Sequence, residues 1–116
     1  IQLGSGSTRA VVYNNYVDAA RGFGVFDSGG GGKYFNNIVT NAFLGGFFLK
    51  DDAPNYAPAG FQILNNTIIH NINSGIYILT ENPNQSVFYN NIIVGKGAYT
   101  YIQINNGLVK YAEANN

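Results

Sequence analysis

The chain has 116 residues, of which only 10% are charged, six Lys plus Arg balancing six Asp plus Glu. That length suits one domain with one core, and the sparse, balanced charge excludes a protein that neutralises nucleic acid phosphates or is drawn to an anionic membrane surface. A hydrophobic share of 46%, with 15% aromatics, excludes disorder, and the absence of cysteine excludes disulfides and thiolate metal sites. Asn and Gly disfavour helix while Val, Ile, Tyr and Phe favour strand, so the chain is expected to be all-β.

In chain order, the first strand-like triplet is Ile1-Gln2-Leu3, with no initiator Met before it. A mature product or a piece of a longer protein is the expectation. Tyr13-Asn14-Asn15 follows, then Val17, Arg21, Gly24 and the triplet Val25-Phe26-Asp27. The stretch GGGGK at 29–33 invites comparison with a phosphate-binding loop. Tyr34 stands where such a loop needs Ser or Thr, and the glycine spacing is wrong. Phe35-Asn36-Asn37, Val39, Gly46 and Phe47-Phe48-Leu49 make a second unit. Leu64-Asn65-Asn66, Ile68, Gly75 and Ile76-Tyr77-Ile78 make a third. Tyr89-Asn90-Asn91, Ile93, Thr100 and Tyr101-Ile102-Gln103 make a fourth.

The asparagine doublets recur at intervals of 22, 29 and 25 residues. The distance from doublet to glycine is constant, and the variation collects after the second strand of each unit, at 28–33, 50–60 and 79–86. Insertions gathered at one place per unit characterise a solenoid with loops along one edge. The period and the short strands point to a parallel β-helix. A leucine-rich repeat would need more Leu at different spacing, and a β-sandwich would not explain a doublet at near-fixed phase. Coils in a β-helix stack at about the 4.8 Å inter-strand spacing, so identical residues stand above one another. Asn tolerates the left-handed backbone a sharp bend requires, and stacked amides hydrogen-bond along the ladder. Asn14, Asn15, Asn36, Asn37, Asn65, Asn66, Asn90 and Asn91 are therefore expected to be structural. Gly46 and Gly75 are expected at turns that leave no room for a Cβ.

The phrases ILNNTIIHN, GIYI and VFYNNIIVG resemble the right-handed parallel β-helix repeat of the pectate-lyase-like superfamily, over residues 1 to 106 or so. The resemblance implies a right-handed solenoid of about four to five coils, here roughly 1–24, 25–46, 47–75, 76–100 and 101–116, forming a single domain. It also implies an extracellular or cell-surface setting and, among relatives, polysaccharide lyases, polygalacturonase-like hydrolases, alginate epimerases and phage tailspikes. Fold alone does not carry function. The chain has the Asp51-Asp52 pair of polygalacturonase-like enzymes but no Gly-His-Gly and no Arg-Ile-Lys, which speaks against hydrolysis of that type.

Strand alternation locates the candidate site. If Val25, Phe47 and Ile76 face inward, then Phe26, Phe48 and Tyr77 face outward in a row. Such an aromatic stripe suits the faces of sugar rings; cover by loops or by a partner subunit is the competing reading. Asp27, Asp51, Asp52 and Glu81 fall near one corner of successive units. Carboxylates at that spacing serve glycoside hydrolysis or hold Ca2+, and ordinary loop chemistry explains them equally. In uronate lyases a calcium ion commonly neutralises the substrate carboxylate while Lys or Arg takes the proton. Lys50 and Lys33, with Arg21 before the strand, are the residues in reach. The expectation is thus catalysis by Asp51, Asp52, Lys50 and Glu81, and substrate contact by Phe26, Phe48, Tyr77, Asp27 and Lys33. His70 is the only histidine and has no partner for a triad. Of two glycosylation sequons, that at Asn65 is expected to be inaccessible in the ladder and that at Asn84 to lie in a loop.

Two functions are compatible with these residues. One is an extracellular β-helix that binds or cleaves an acidic polysaccharide. The other is a non-catalytic structural or adhesive module whose coils, with no capping helix in sight, stack end to end into a filament or form part of a larger surface protein.

Overall fold

The computed structural model describes residues 1–4, 9–50, 60–71, 75–79, 86–95, 102–105 and 111–114; for 70, 71, 103–105 and 111–114 only the backbone is described. The expected Asp51, Asp52, Glu81 and Asn84 lie outside the described residues, as does the side chain of His70. Fourteen strands follow in chain order: β1 Gln2–Leu3, β2 Val11–Tyr13, β3 Tyr16–Asp18, β4 Phe23–Asp27, β5 Lys33–Phe35, β6 Ile38–Thr40, β7 Gly45–Lys50, β8 Gln62–Leu64, β9 Thr67–Asn71, β10 Ile76–Leu79, β11 Ser86–Tyr89, β12 Ile92–Gly95, β13 Ile102–Asn105 and β14 Tyr111–Ala114.

They form three sheets in which every pairing is parallel: β1-β4-β7-β10-β13, β2-β5-β8-β11-β14 and β3-β6-β9-β12. We call them the A, B and C sheets. Each strand of one sheet leads to the next sheet, and the fourth strand onward returns one step further along. The fold is a parallel β-helix of about four coils.

One inward residue per short strand builds the core. Val12, Tyr34, Ile63 and Phe88 are in register on the B sheet, and Val17, Val39, Ile68 and Ile93 on the C sheet. Val25, Phe47, Ile76 and Ile102 are in register on the A sheet. Most are fully buried, and each buried aliphatic or aromatic side chain contributes about 1.5–3 kcal/mol. Polar flanking residues fill the outward positions only in part, which is why a three-residue strand reads as nearly all apolar.

The two residues of each doublet divide the expected duties. The first of each pair, Asn14, Asn36, Asn65 and Asn90, is exposed and takes the left-handed bend, with φ of 54°, 55°, 54° and 56°. The second makes the ladder: Asn15 Nδ2, Asn37 Nδ2 and Asn66 Nδ2 each donate at 3.0 Å to the Oδ1 of the asparagine one coil on, namely Asn37, Asn66 and Asn91. The same Oδ1 atoms accept from the backbone N–H of Asn15, Asn37 and Asn66, and the amides also donate to the carbonyls of Tyr13, Val12 and Tyr34. Asn65 is thus not the inaccessible ladder residue expected; it is on the surface, where its Oδ1 accepts from Asn90 Nδ2 at 3.0 Å.

The glycine row also differs from expectation. Gly46, expected at a turn, lies buried inside β7, as Gly24 does inside β4, whereas Gly75 stands at a bend just ahead of β10. A Cβ at Gly24 would collide with Val39 Cγ1 on the C sheet and come within 3.1 Å of the Gly46 carbonyl oxygen. The missing side chain lets the C and A sheets close on one another.

Candidate functional site

The outer face of the A sheet carries an aromatic stack. Val25, Phe47 and Ile76 are fully buried, so the intervening Phe26, Phe48 and Tyr77 turn outward, half-buried and in register. Phe26 and Phe48 have ring centroids 5.2 Å apart, and Phe48 and Tyr77 4.9 Å apart at 29° between planes. The spacing is that of the coils themselves, so the stripe runs along the solenoid axis.

Sequence alternation missed a fourth member, Phe23. Its ring stacks on Phe48 at 4.9 Å and 23°, opposite Gly45, which has no side chain to occupy the space. Strict alternation from Val25 would place Phe23 inside. Gly24 and Val25 are both buried, so the alternation slips by one and Phe23 emerges beside Phe26, 6.5 Å away. Gly24, within the strand, was the available signal.

Lys50 ends β7 two residues beyond Phe48, on the outward parity of the same strand, in register with Leu79. Lys33 does not share this face. It is exposed at the start of β5, in register with Val11 and Gln62 on the B sheet. Arg21 is exposed ahead of β4.

Asp27 is not on an exposed acidic corner. It is fully buried, and its register partner is Leu49, not the Asp51-Asp52 pair. Its parity along β4 is that of Val25, so the side chain enters the core. There it accepts hydrogen bonds from the Tyr34 hydroxyl and, at 2.7 Å, from the Gly29 N–H. Residues 28–32 are themselves buried, with Gly30 and Gly31 at φ of 83° and 70°. The GGGG stretch is therefore a tight corner folded over a buried carboxyl group, a conformation that glycine adopts without strain. Tyr34 in turn holds its proton far above the usual range, first because it is buried and then because Asp27 faces it. A surface ligand has no access to Asp27 in this arrangement.

On the C sheet, Asp18 accepts from Thr40 Oγ1 at 2.6 Å and Asn41 Nδ2 at 2.8 Å, which lowers its pKa below the ordinary carboxylate value. Among the described residues no group of three or more His, Cys, Asp or Glu is placed to hold a metal ion. No helix among them is long and apolar enough to cross a membrane. No protein family model, no curated protein and no solved structure matches this chain.

Proposed function

We propose that this chain is an extracellular, carbohydrate-active β-helix of pectate-lyase-like kind that binds an acidic polysaccharide along the outer face of its A sheet. The observation that carries the reading is the axial stack of Phe23, Phe26, Phe48 and Tyr77. The carbon-hydrogen faces of sugar rings are apolar, and covering them with aromatic rings removes both from water. A polymer laid along the axis meets a ring on three successive coils, at β4, β7 and β10. Lys50, on the same strand face as Phe48, offers a cation to a carboxylated sugar. In this reading cleavage, with any Ca2+ it needs, falls to Lys50, Asp51, Asp52 and Glu81.

Affinity electrophoresis in gels containing polygalacturonate, alginate or a neutral glucan tests binding. The reading expects retardation by an acidic polymer and loss of it in Phe48→Ala. Migration unaffected by every polymer sinks it. Ultraviolet absorption from unsaturated uronate products, assayed with and without Ca2+, separates a lyase from a binding module.

A second reading, the structural or adhesive module, draws on the C sheet. Its outer face exposes Tyr16, Ile38, Ile92 and Val94, an apolar surface of the kind that marks interaction. Fibres or higher oligomers in solution, together with indifference to polysaccharides, would favour it.

A further inference from the structure

The corner between the C and A sheets contains an open hollow of about 440 Å³ lined by Ala19, Ala20, Arg21, Asn41 and Phe43. The geometry points to this hollow as a subsite for one uronic acid residue, with Arg21 binding its carboxylate and Phe43 its ring face. The inference rests on the polysaccharide reading of the A sheet and places the acid selectivity at a site next to the aromatic stack.

The chain builds the hollow in three ways. First, successive coils place Ala19 where the next has Asn41: Asp18 is in register with Thr40, and the two residues that follow share the left-handed bend, at φ of 52° and 55°. Alanine gains nothing from that backbone conformation, which asparagine tolerates far better. A strained small residue opening a concavity is a pointer toward a ligand site. Second, Phe43 is 58% exposed and overhangs the corner, its N–H anchored to the Ala20 carbonyl at 2.8 Å. A large apolar ring held in water beside a hollow is a platform for a flat apolar face.

Third, the charges are sorted. Arg21 is exposed, and among the described residues it makes no ion pair or hydrogen bond. Its guanidinium fork matches a carboxylate in a bidentate manner. Asp18 keeps its own charge through Thr40 and Asn41. Asn41 is held by the same bond. A uronate thus has a cation for its acid group, an aromatic face for its ring, and the Asn41 amide oxygen as an acceptor for a hydroxyl. Arg21 stands two residues before Phe23 in the chain, so a polymer can cross from the hollow onto the stack.

NMR titration of the full chain with a galacturonic acid oligomer, and with the galactose oligomer of equal length, tests this. The expected result is perturbation of the Arg21 Nε–H and the Phe43 ring by the acidic oligomer, with at least about tenfold weaker effect from the neutral one. Arg21→Gln, a surface change that leaves the core intact, should abolish that preference, and Phe43→Ala should weaken both sugars. Equal response to the two oligomers, or no response at Arg21 and Phe43, overturns the inference. Phe48→Ala keeps the two readings distinguishable. If polymer binding survives Arg21→Gln unchanged but falls in Phe48→Ala, the stack binds sugar and the hollow does not. If no polymer is retained but the uronate oligomer still shifts Arg21, the hollow stands and the stack reading falls.

Discussion

Within each asparagine doublet, a change of one position separates surface from core. Asn65 bends the backbone and faces water; Asn66 is buried and makes contacts with Tyr34, Leu64 and Asn91 while accepting from Asn37. Asn65→Gly should therefore leave the urea midpoint nearly unchanged, because glycine adopts the same φ without strain. Asn66→Ala should cost about 2–4 kcal/mol, since it strands buried groups on both neighbouring coils. Tyr34 supplies a pH test. Its folded-state pKa is raised above the ordinary 10.0, by burial first and by Asp27 next, so the stability this proton contributes is whole below pH 10 and is lost as the pH rises above it, where only the unfolded chain releases the proton. Stability measured from about pH 9 to 11 should fall in the wild type and fall less steeply in Tyr34→Phe, which starts about 1–3 kcal/mol less stable because Asp27 has lost a donor. The recurrence of the doublets made the ladder legible in the sequence. Which asparagine does which job was not, because one letter serves two unlike environments one residue apart.

On the strand, the same alternation places a binding face and a core face on adjacent residues. Phe47 is fully buried and Phe48 is stacked outside. Phe47→Ala should cost about 3–5 kcal/mol in chemical denaturation, whereas Phe48→Ala should change stability little and weaken polysaccharide retention by about tenfold, or 1.4 kcal/mol. A variant in which both changes act alike would remove the distinction between the faces. Gly24→Ala should cost about 1–3 kcal/mol, because the new methyl meets Val39 and the closely packed corner has to give. Alternation made Phe26, Phe48 and Tyr77 readable. It hid Phe23, which the two inward neighbours Gly24 and Val25 push outside. It also spoke against Asp27 as a surface acid, since Val25 and Asp27 share a parity; a carboxyl group in a glycine-rich context reads as loop chemistry until Tyr34 is seen opposite it. Arg21 and Phe43 meet only through the stacking of coils, so no local pattern joins them.

For the whole molecule, nearly all contacts run between one coil and the next, and stability is accordingly a sum of units and the interfaces between them. That is why the repeat alone disclosed the architecture: each unit has to bury its face on a near copy. The same logic makes a whole unit removable. Asn15 and Asn37 are 22 residues apart and directly stacked, so deleting residues 16–37 joins Asn15 to Ile38, the register partner of Tyr16. The deletion takes out β3, β4 and β5 together, and Asp27 leaves with Tyr34, so no buried carboxyl group is stranded. Asn15 then meets Asn66, β1 meets β7, and β2 meets β8, all in the parallel registers already present through the missing coil. The shortened chain should keep its β-sheet circular dichroism and unfold cooperatively, with a loss of about 1–3 kcal/mol for the residues removed. Deleting only residues 16–27 removes β3 and β4 but leaves β5 following β2 directly, so that the B sheet keeps all its strands while the A and C sheets each lose one. That chain should fail to give a cooperative transition. If both deletions fold equally well, the coils are not the units of this fold, and the axial stack of aromatic rings loses its basis as well.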